Sequence, residues 1–167
     1  GGSLVPPPGW LAELREVCDR HGILLVADEV QSGVGRTGTM WTIEHDDVAP
    51  DILLTGKGLA SGLPLSAVIG RADLFTWTAG RHGSTFGGNA VACAAALATL
   101  DLVEGGLAEN AAKVGNQIME RLRVVQADHP DTVVDVRGRG LMIGVELPDH
   151  DAAEALEQAC FRRGLLV

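Results

Sequence analysis

The chain has 167 residues, of which 46% are hydrophobic and 22 are glycine, a composition typical of a packed globular protein and not of a disordered tail. Its formal net charge of −9 argues against nucleic acid and membrane surfaces as partners, because both require clustered Lys and Arg. The three cysteines lack CxxC spacing, so they indicate neither a disulfide framework nor a zinc site, and they suit a reducing, cytoplasmic compartment.

Both ends of the sequence lead us to expect a fragment of a longer protein. The chain begins at Gly1 instead of methionine, and residues 165–167 resemble the opening of a strand. No run of about 18 uninterrupted apolar residues occurs, and the first eight residues lack the basic start and apolar core of a signal peptide. The sequence therefore predicts neither a membrane span nor a secretory leader.

The first half of the chain predicts helices and strands in alternation. Apolar residues recur at helical spacing over residues 9–20, and a short apolar run follows at 23–27. Further short apolar runs occur at 52–54 and 65–70. Because such runs, bounded by polar residues and glycine, are typical of buried strands in a parallel sheet, we predict an α/β fold.

The second half predicts a change of domain. Residues 90–103 are apolar on nearly every face, which predicts a buried helix, and Gly105-Gly106 is predicted to break it. We place a domain boundary there, between residues 1–104 and 105–167. The remaining predicted elements are an amphipathic helix from 107 to about 125, strands at 132–136 and 141–147, and a helix from 149 to 163.

An aspartate and a lysine follow two of the predicted strands, Asp28 after the run at 23–27 and Lys57 after the run at 52–54. The carboxyl ends of parallel strands are where such sheets bind ligands. Only a lysine amine can form a Schiff base, and burial would favour its neutral, nucleophilic form. A carboxylate at position 28 could keep the ring nitrogen of pyridoxal phosphate protonated. Taken singly, the two residues could equally be a solvent-reaching lysine and a turn-forming aspartate.

Three glycines offer a different interpretation, because Gly33, Gly35 and Gly38 match the G-x-G-x-x-G pattern of nicotinamide-dependent dehydrogenases. That pattern has meaning where it directly follows a strand, opens a helix and precedes an acidic strand end. Here residues 28–32 separate the strand from the first glycine, and Asp51 precedes the next strand instead of ending it. The pattern is therefore weak support for dinucleotide binding.

Three further segments could carry chemistry or could be ordinary surface structure. Hydroxyls and glycine amides in Ser84–Asn89 suit a phosphate, or a plain helix cap. Arg137 in Arg-Gly-Arg-Gly could hold a substrate carboxylate, or could be an exposed arginine in a glycine turn. The acidic group at 44–47 lacks a helical histidine pair or a calcium-loop spacing, which predicts a solvated face and no metal site.

Residues 25–38, with the sequence Leu-Val-Ala-Asp-Glu-Val-Gln-Ser-Gly-Val-Gly-Arg-Thr-Gly, resemble the signature of the class III aminotransferases, which are pyridoxal-phosphate enzymes of fold type I. The resemblance covers nearly the whole chain and is greatest to the 4-aminobutyrate and acetylornithine branch. It continues in the same order through Pro50-Asp51, Gly56-Lys57-Gly58, Gly62–Ser66, Ser84–Asn89 and Arg137–Met142.

The resemblance implies roles for five residues at the cofactor. Lys57 is the Schiff-base lysine, and Asp28 is the partner of the pyridine nitrogen. Val30 packs on the ring face, and Gln31 bonds the ring hydroxyl. Thr85 binds the phosphate of the neighbouring subunit's cofactor, which implies a homodimer or a higher homo-oligomer.

The resemblance also implies transamination between an amino donor, such as an ω-amino acid, and a 2-oxo acid such as 2-oxoglutarate. Arg137 would hold a substrate carboxylate, and Lys57 would act as the general base. Residues 1–104 would be the later part of the large sheet domain, and residues 105–167 most of the small C-terminal α/β domain.

Parts of the family's site have no counterpart in the sequence. They are the upstream phosphate loop, the aromatic residue that stacks on the cofactor and the substrate-gating glutamate. We therefore expect the fragment to be inactive alone. A racemase, an aminomutase or a decarboxylase of the same family would carry the same residues, and a truncated, non-catalytic association domain is a further alternative.

Overall fold

The computed structural model of the chain describes residues 2–167 and contains four α-helices. Helix α1 ends where the sequence predicts, because Gly22 adopts a left-handed conformation and its amide donates to the carbonyls of the last helical turn. Asp149 accepts from the amide of Ala152 and so caps the last helix. The helices are α1 (Trp10–His21), α2 (Ala90–Leu102), α3 (Ala108–Asp128) and α4 (His150–Phe161).

In the described part of the chain, five short strands form two separate sheets, which confirms the predicted mixture of helix and strand. In the first sheet the order is β1-β2-β3, with β1 and β2 parallel and β3 antiparallel to β2. In the second sheet β4 and β5 form an antiparallel hairpin. The strands are β1 (Val26–Asp28), β2 (Ile52–Thr55), β3 (Ala67–Gly70), β4 (Asp135–Arg139) and β5 (Met142–Glu146).

The prediction of a buried parallel sheet is wrong in two respects. Strand β3 runs antiparallel to β2, and β1 is an edge strand in which Val26 is exposed. The predicted strand at 23–27 also begins late. The Ile23 amide donates to the carbonyl of Cys18 at the end of α1, so it is part of the helix cap and is not available for a strand ladder.

Helices α2 and α3 follow one another without a loop, in contrast to the predicted break. A π-helical turn at Val103–Leu107 joins them, and within it only Gly106 leaves the helical conformation, with φ 127° and ψ −3°. The two glycines therefore produce a kink. The segment Ala90–Asp128 is long and apolar enough, by length and composition alone, to cross a membrane, which we did not predict. Core helices of globular proteins meet the same criterion.

Helix α2 is not the buried helix that its composition predicts. It buries Ala92 and Ala96, and Ala96 packs against Leu59 and Ala60. The other faces of α2 have no covering element among residues 2–167, so Val91 and Leu97 remain 69% and 66% exposed.

The Arg-Gly-Arg-Gly segment lies mostly in strand β4 instead of in a turn. Arg137 pairs with Gly144 and Arg139 with Met142 in the hairpin ladder. A Cβ atom on Gly138 would overlap the backbone of Met142, so the two strands can approach only because this residue has no side chain.

Candidate active site

Strands β1 and β2 bring Asp28 and Lys57 to the same edge of the first sheet. Asp28 is the last residue of β1 and lies opposite Leu54 of β2, and Lys57 follows three residues after Leu54. The spacing of parallel strands and the rise per residue place the two Cα atoms at most about 11 Å apart. Both side chains are exposed. The structure therefore brings together the two residues on which the cofactor hypothesis depends.

Lys57 begins a 3-10 turn that extends to Ala60 and adopts a left-handed backbone conformation with φ 45°. Its Nζ donates to Oε1 of Gln31 over 3.2 Å. Lys57 is exposed among residues 2–167, so the burial that would favour its neutral form is not present in this chain. The strand ends at Thr55 and the chain turns at once, which directs the amine across an open surface toward Gln31.

Val30 and Gln31 lie in the turn that follows β1. Oδ1 of Asp28 accepts from the amide of Val30 over 3.1 Å, and the half-buried Val30 side chain lies beside Gly56. Val30, Gln31 and Lys57 line a cleft of about 650 Å³. Asp28 lines an adjoining cleft of about 370 Å³, and Gln31 lines both. Gln31 therefore contacts the amine of Lys57 and also borders the cleft that Asp28 lines.

Thr85 lies apart from these residues. It is exposed in the segment before α2 and lines neither cleft. The helix-cap alternative is fulfilled by Asn89, whose Oδ1 accepts from the amides of Val91 and Ala92 over 3.1 Å each. The hydroxyl-bearing residues before it are not needed for capping.

Arg137 is held by its neighbours, which contradicts the alternative of an exposed arginine in a turn. Its Nη1 pairs with Asp135 over 2.8 Å and with Glu146, and its Nε donates to the carbonyl of Gly2. The hydrogen bond to Asp135, followed by that to Glu146, raises the pKa of the guanidinium. The side chain is 22% exposed and lines neither cleft, so its substrate role stays a prediction.

The glycine loop does not have the geometry of a dinucleotide site. A Cβ on Gly33 would lie 2.8 Å from the Trp41 ring, and one on Gly38 would lie 2.8 Å from Cβ of Ala112. These glycines therefore serve contacts within the chain. A 3-10 turn follows the loop, not the α-helix whose N-terminus would receive the phosphates. The structure contradicts the nicotinamide alternative.

The same loop packs against the second half of the chain through backbone. A Cβ on Gly140 would overlap the backbone of Thr37, and a Cβ on Gly115 of α3 would overlap the backbone of Gly140. The amide of Leu141 donates to the carbonyl of Arg36 over 2.9 Å. The backbones of Thr37, Gly140 and Gly115 therefore lie directly against one another. We call this contact the glycine stack, and it sets the spacing between the loop, the hairpin and α3.

The acidic group at 44–47 is only partly the solvated face that we predicted. Glu44 is exposed and accepts from the amide of Trp41, but the Asp46 side chain is 7% exposed and pairs with Arg139 over 3.4 Å. Within residues 2–167, no three His, Cys, Asp or Glu side chains are grouped so as to hold a metal ion.

Sequence reasoning missed two buried carboxylates, Asp51 and Glu29. Oδ2 of Asp51 accepts from Arg15 and from the amide of Leu25, and its Oδ1 accepts from Arg71, each over 2.8 Å. The hydrogen bond from Arg15 is the main reason why the pKa of Asp51 lies below its ordinary value, and the Leu25 amide adds to it. The sequence does contain one signal for Asp51, which is an acidic residue directly before an apolar strand.

Comparison with known proteins identifies the family. The family model for "Aminotransferase class-III" matches residues 1–167, and the chain belongs to this family. The family's enzymes depend on pyridoxal phosphate, as the resemblance implies. The α/β fold prediction is confirmed by solved structures with TM-scores of about 0.9.

Three relatives illustrate the similarity. The chain is 49% identical to the acetylornithine aminotransferase of Methanopyrus kandleri over 92% of its own length, and 44% identical to the 4-aminobutyrate aminotransferase of Mycobacterium leprae over 100%. It spans 39% of the length of each. The structure of the ornithine aminotransferase from Toxoplasma gondii, described with partial occupancy of PLP at its active site, matches with a TM-score of 0.91 at 42% identity, covering 98% of this chain and 39% of that one.

The residues at the sheet edge fit pyridoxal phosphate in their chemistry. They offer a primary amine, a carboxylate, an amide and a half-buried aliphatic side chain, which match an aldehyde, a basic ring nitrogen, a ring hydroxyl and a ring face. Gly56 and Gly58 keep the backbone beside Lys57 free of side chains, and a Cβ on Gly58 would have no atom closer than 4.0 Å. A flat ring can therefore approach the strand ends.

Proposed function

We propose that the chain is the cofactor-binding C-terminal part of an aminotransferase that moves an amino group between an ω-amino donor and a 2-oxo acid such as 2-oxoglutarate. One observation carries the proposal: Lys57 and Asp28 lie at the carboxyl ends of adjacent parallel strands, and Gln31 bonds the lysine and lines both adjoining clefts. Identity of 44–49% to a 4-aminobutyrate and an acetylornithine aminotransferase supports the choice of donor class.

Each of the four residues at the sheet edge would have a separate role. Pyridoxal phosphate, when bound, supplies an electron sink for the bonds at the substrate carbon. The Lys57 amine would hold the cofactor by its aldehyde carbon and, once released, would move a proton from the substrate as a general base. Asp28 would keep a proton on the ring nitrogen, and Gln31 would orient the ring hydroxyl. Val30 would exclude water from one ring face.

The proposal extends to Thr85 and Arg137 as ligands of the cofactor phosphate and of a substrate carboxylate. Thr85 lies outside the clefts of its own chain, which supports a role in a neighbouring subunit's site. The exposed apolar side chains of α2 that follow it, such as Val91 and Leu97, support an assembly of two or more copies. The side chain of Arg137 is held in place by Asp135 and Glu146 at Nη1, and its Nη2 has no partner among the described residues, which supports a further contact to a carboxylate at that nitrogen.

We further propose that residues 1–104 and 105–167 belong to different domains. Each half has its own sheet, and each has its own buried cluster, such as Leu59 with Ala96 in the first and Met119 with Val136 in the second. The kink at Gly106 lies beside the proposed boundary. Because the chain spans only 39% of the length of its curated relatives, we expect residues 1–167 alone to be inactive.

Chemical trapping of the lysine tests the proposed function. The native polypeptide that contains residues 1–167 is incubated with pyridoxal phosphate, reduced with borohydride, digested and mapped by mass spectrometry. We expect the cofactor on Lys57, no label in Lys57→Ala, and full labelling in Lys113→Ala, which changes the other lysine of the chain. Transfer of the amino group to 2-oxoglutarate is then measured in the same preparation. Labelling at Lys113, or at no lysine, would contradict the proposal.

A further inference from the structure

Glu29 is a buried carboxylate to which the proposed chemistry gives no role. It lies between Asp28 and the turn that carries Val30 and Gln31, and it is 4% exposed. A carboxylate removed from water is costly unless hydrogen bonds replace its hydration. Glu29 lies beside three proposed cofactor residues, so the groups that bind its carboxylate also affect the geometry of the proposed site.

All four polar groups of Glu29 are engaged. Oε2 accepts from the Ser32 hydroxyl over 2.6 Å, and Oε1 accepts from the Ile43 amide over 2.8 Å. The backbone carbonyl of Glu29 accepts from the amide of Gly33 over 3.0 Å. Its own amide donates to the carbonyl of Leu54 over 2.8 Å, which extends the β1–β2 ladder toward the lysine turn.

These bonds enclose the two cofactor residues. The contacts from Glu29 to Ser32 and to Gly33 close tight loops in which Val30 and Gln31 are the intervening residues. The contact to Ile43 anchors that turn to the 3-10 segment at Thr42–Asp46, and the bond to Leu54 anchors it to β2. The turn is therefore fixed by Glu29 from three directions.

We propose that Glu29 is a positioning residue that holds Val30 and Gln31 in the geometry required for cofactor binding. This inference rests on the proposed function, because it concerns the same cofactor. Glu29 lines neither cleft and is not hydrogen-bonded to Lys57, so its proposed effect on the cofactor passes through Gln31 and Val30. Hydrogen bonds that satisfy a buried charged group are among the stronger ones in proteins.

The test measures cofactor affinity by absorbance titration of the native polypeptide, with urea unfolding in parallel. Glu29→Met keeps a side chain of similar length, removes both carboxylate oxygens as acceptors and leaves the Ile43 amide without its partner. We expect the dissociation constant of pyridoxal phosphate to rise on the order of 10- to 100-fold. Glu29→Gln should stay within about threefold, since an amide can accept from Ile43 and donate to the Ser32 hydroxyl. Equal affinity of Glu29→Met and wild type would overturn the inference.

Glu44→Met is the matched control, since Glu44 lies in the same region and also accepts from a backbone amide, but it is exposed. It should bind the cofactor as wild type does. If Glu29→Met does not fold, Ser32→Ala decides. It should weaken cofactor binding by about 3- to 10-fold, and Ser32→Thr should restore it, because threonine keeps the hydroxyl. Unchanged binding in Ser32→Ala would count against the inference.

A double-mutant cycle separates positioning from general stability. If Glu29 acts through Gln31, Glu29→Met should weaken binding less than about threefold in a Gln31→Ala background. Full additivity would contradict the inference and would leave the proposed function intact. If the wild-type protein shows no cofactor absorbance that disappears in Lys57→Ala, the proposed function is overturned, and the inference with it.

Discussion

Nζ of Lys57 donates to Oε1 of Gln31 over 3.2 Å, and this bond joins the turn after β1 to the turn after β2. The two residues are 26 positions apart in sequence, yet both lie just beyond the strand ends of one parallel pair. The contact holds the amine at the surface that Val30 and Gln31 line. The lysine is therefore oriented by the same turn that is proposed to receive the cofactor ring.

Removing the carboxylate of Asp28 should impair catalysis much more than cofactor attachment. In the native polypeptide that contains residues 1–167, we expect Asp28→Asn to lower kcat for the proposed transamination by at least about 100-fold, because the amide cannot keep the ring nitrogen protonated. Borohydride trapping at Lys57 should still occur. Steady-state kinetics and trapping on the same samples check this, with Asp47→Asn, an exposed position, as the control. An unchanged kcat in Asp28→Asn would remove Asp28 from the mechanism.

Replacing Arg137 should affect the acidic substrate selectively. In the native polypeptide that contains residues 1–167, Arg137→Lys removes the guanidinium that is proposed to hold the substrate carboxylate, so we expect KM for 2-oxoglutarate to rise on the order of 10-fold or more. The absorbance of the bound cofactor should not change, since Arg137 lines neither cleft. Arg163→Lys, at an exposed position just after α4, is the control. A KM equal to that of wild type would assign Arg137 to the hairpin's ion pairs alone.

Asp51 should make folding stability depend on pH in the acid range. Its pKa in the folded state lies below the ordinary value of 3.8, so its contribution is complete above that value and is lost as the pH falls through the lower, folded-state pKa. We expect Asp51→Asn to lower the urea midpoint at pH 7 and the difference from wild type to shrink below about pH 4. Urea titrations at several pH values measure both.

The control for this prediction is Asp73→Asn, which removes an exposed partner of the same Arg71. It should change the midpoint little, because exposed ion pairs contribute little. A difference between Asp51→Asn and wild type that is constant from pH 7 to pH 3 would show that the carboxylate's charge is not the cause.

Substitution by alanine should change the folding stability in opposite directions at Gly115 of α3 and at Gly105 beside the kink. Gly115→Ala places a methyl group on the backbone of Gly140, so we expect unfolding to become easier by about 1–3 kcal/mol. Gly105 has open space at its Cβ position, and Gly105→Ala should stabilise by up to about 1 kcal/mol through helix propensity. Chemical denaturation compares the two. Equal stability of both variants would contradict the close packing of the glycine stack.

The sequence predicted the parts of the site that depend on local chemistry. Lys57 and Asp28 follow strands, and strand ends are identifiable from short apolar runs, so their meeting at one edge was predictable. Helix α1 with Gly22, and α4 with Asp149, were predictable for the same reason, since caps depend on neighbouring residues.

The features that sequence reasoning missed depend on contacts between distant residues. The direction of β3 and the roles of Asp51 and Glu29 arise from contacts between residues that are far apart in sequence, such as 14 positions for Glu29 and Ile43 and 36 for Arg15 and Asp51. The exposure of α2 depends on which elements cover it, which its own sequence does not specify. The Gly33 to Gly38 loop shows the difficulty clearly. The glycine pattern suggests a phosphate-binding loop, but here its glycines allow close packing against other parts of the chain, such as the Trp41 ring and Ala112.

The glycine stack of Thr37, Gly140 and Gly115 works as a spacer of fixed thickness. Main-chain atoms there touch with no adaptable side chain between them, so the gap between the Gln31 turn and the Arg137 strand is set by atomic diameters. If Gln31 and Arg137 serve one site as proposed, a substrate of different length would not be accommodated by stretching this gap. Selection among such substrates would then depend on residues that lie elsewhere around the cleft.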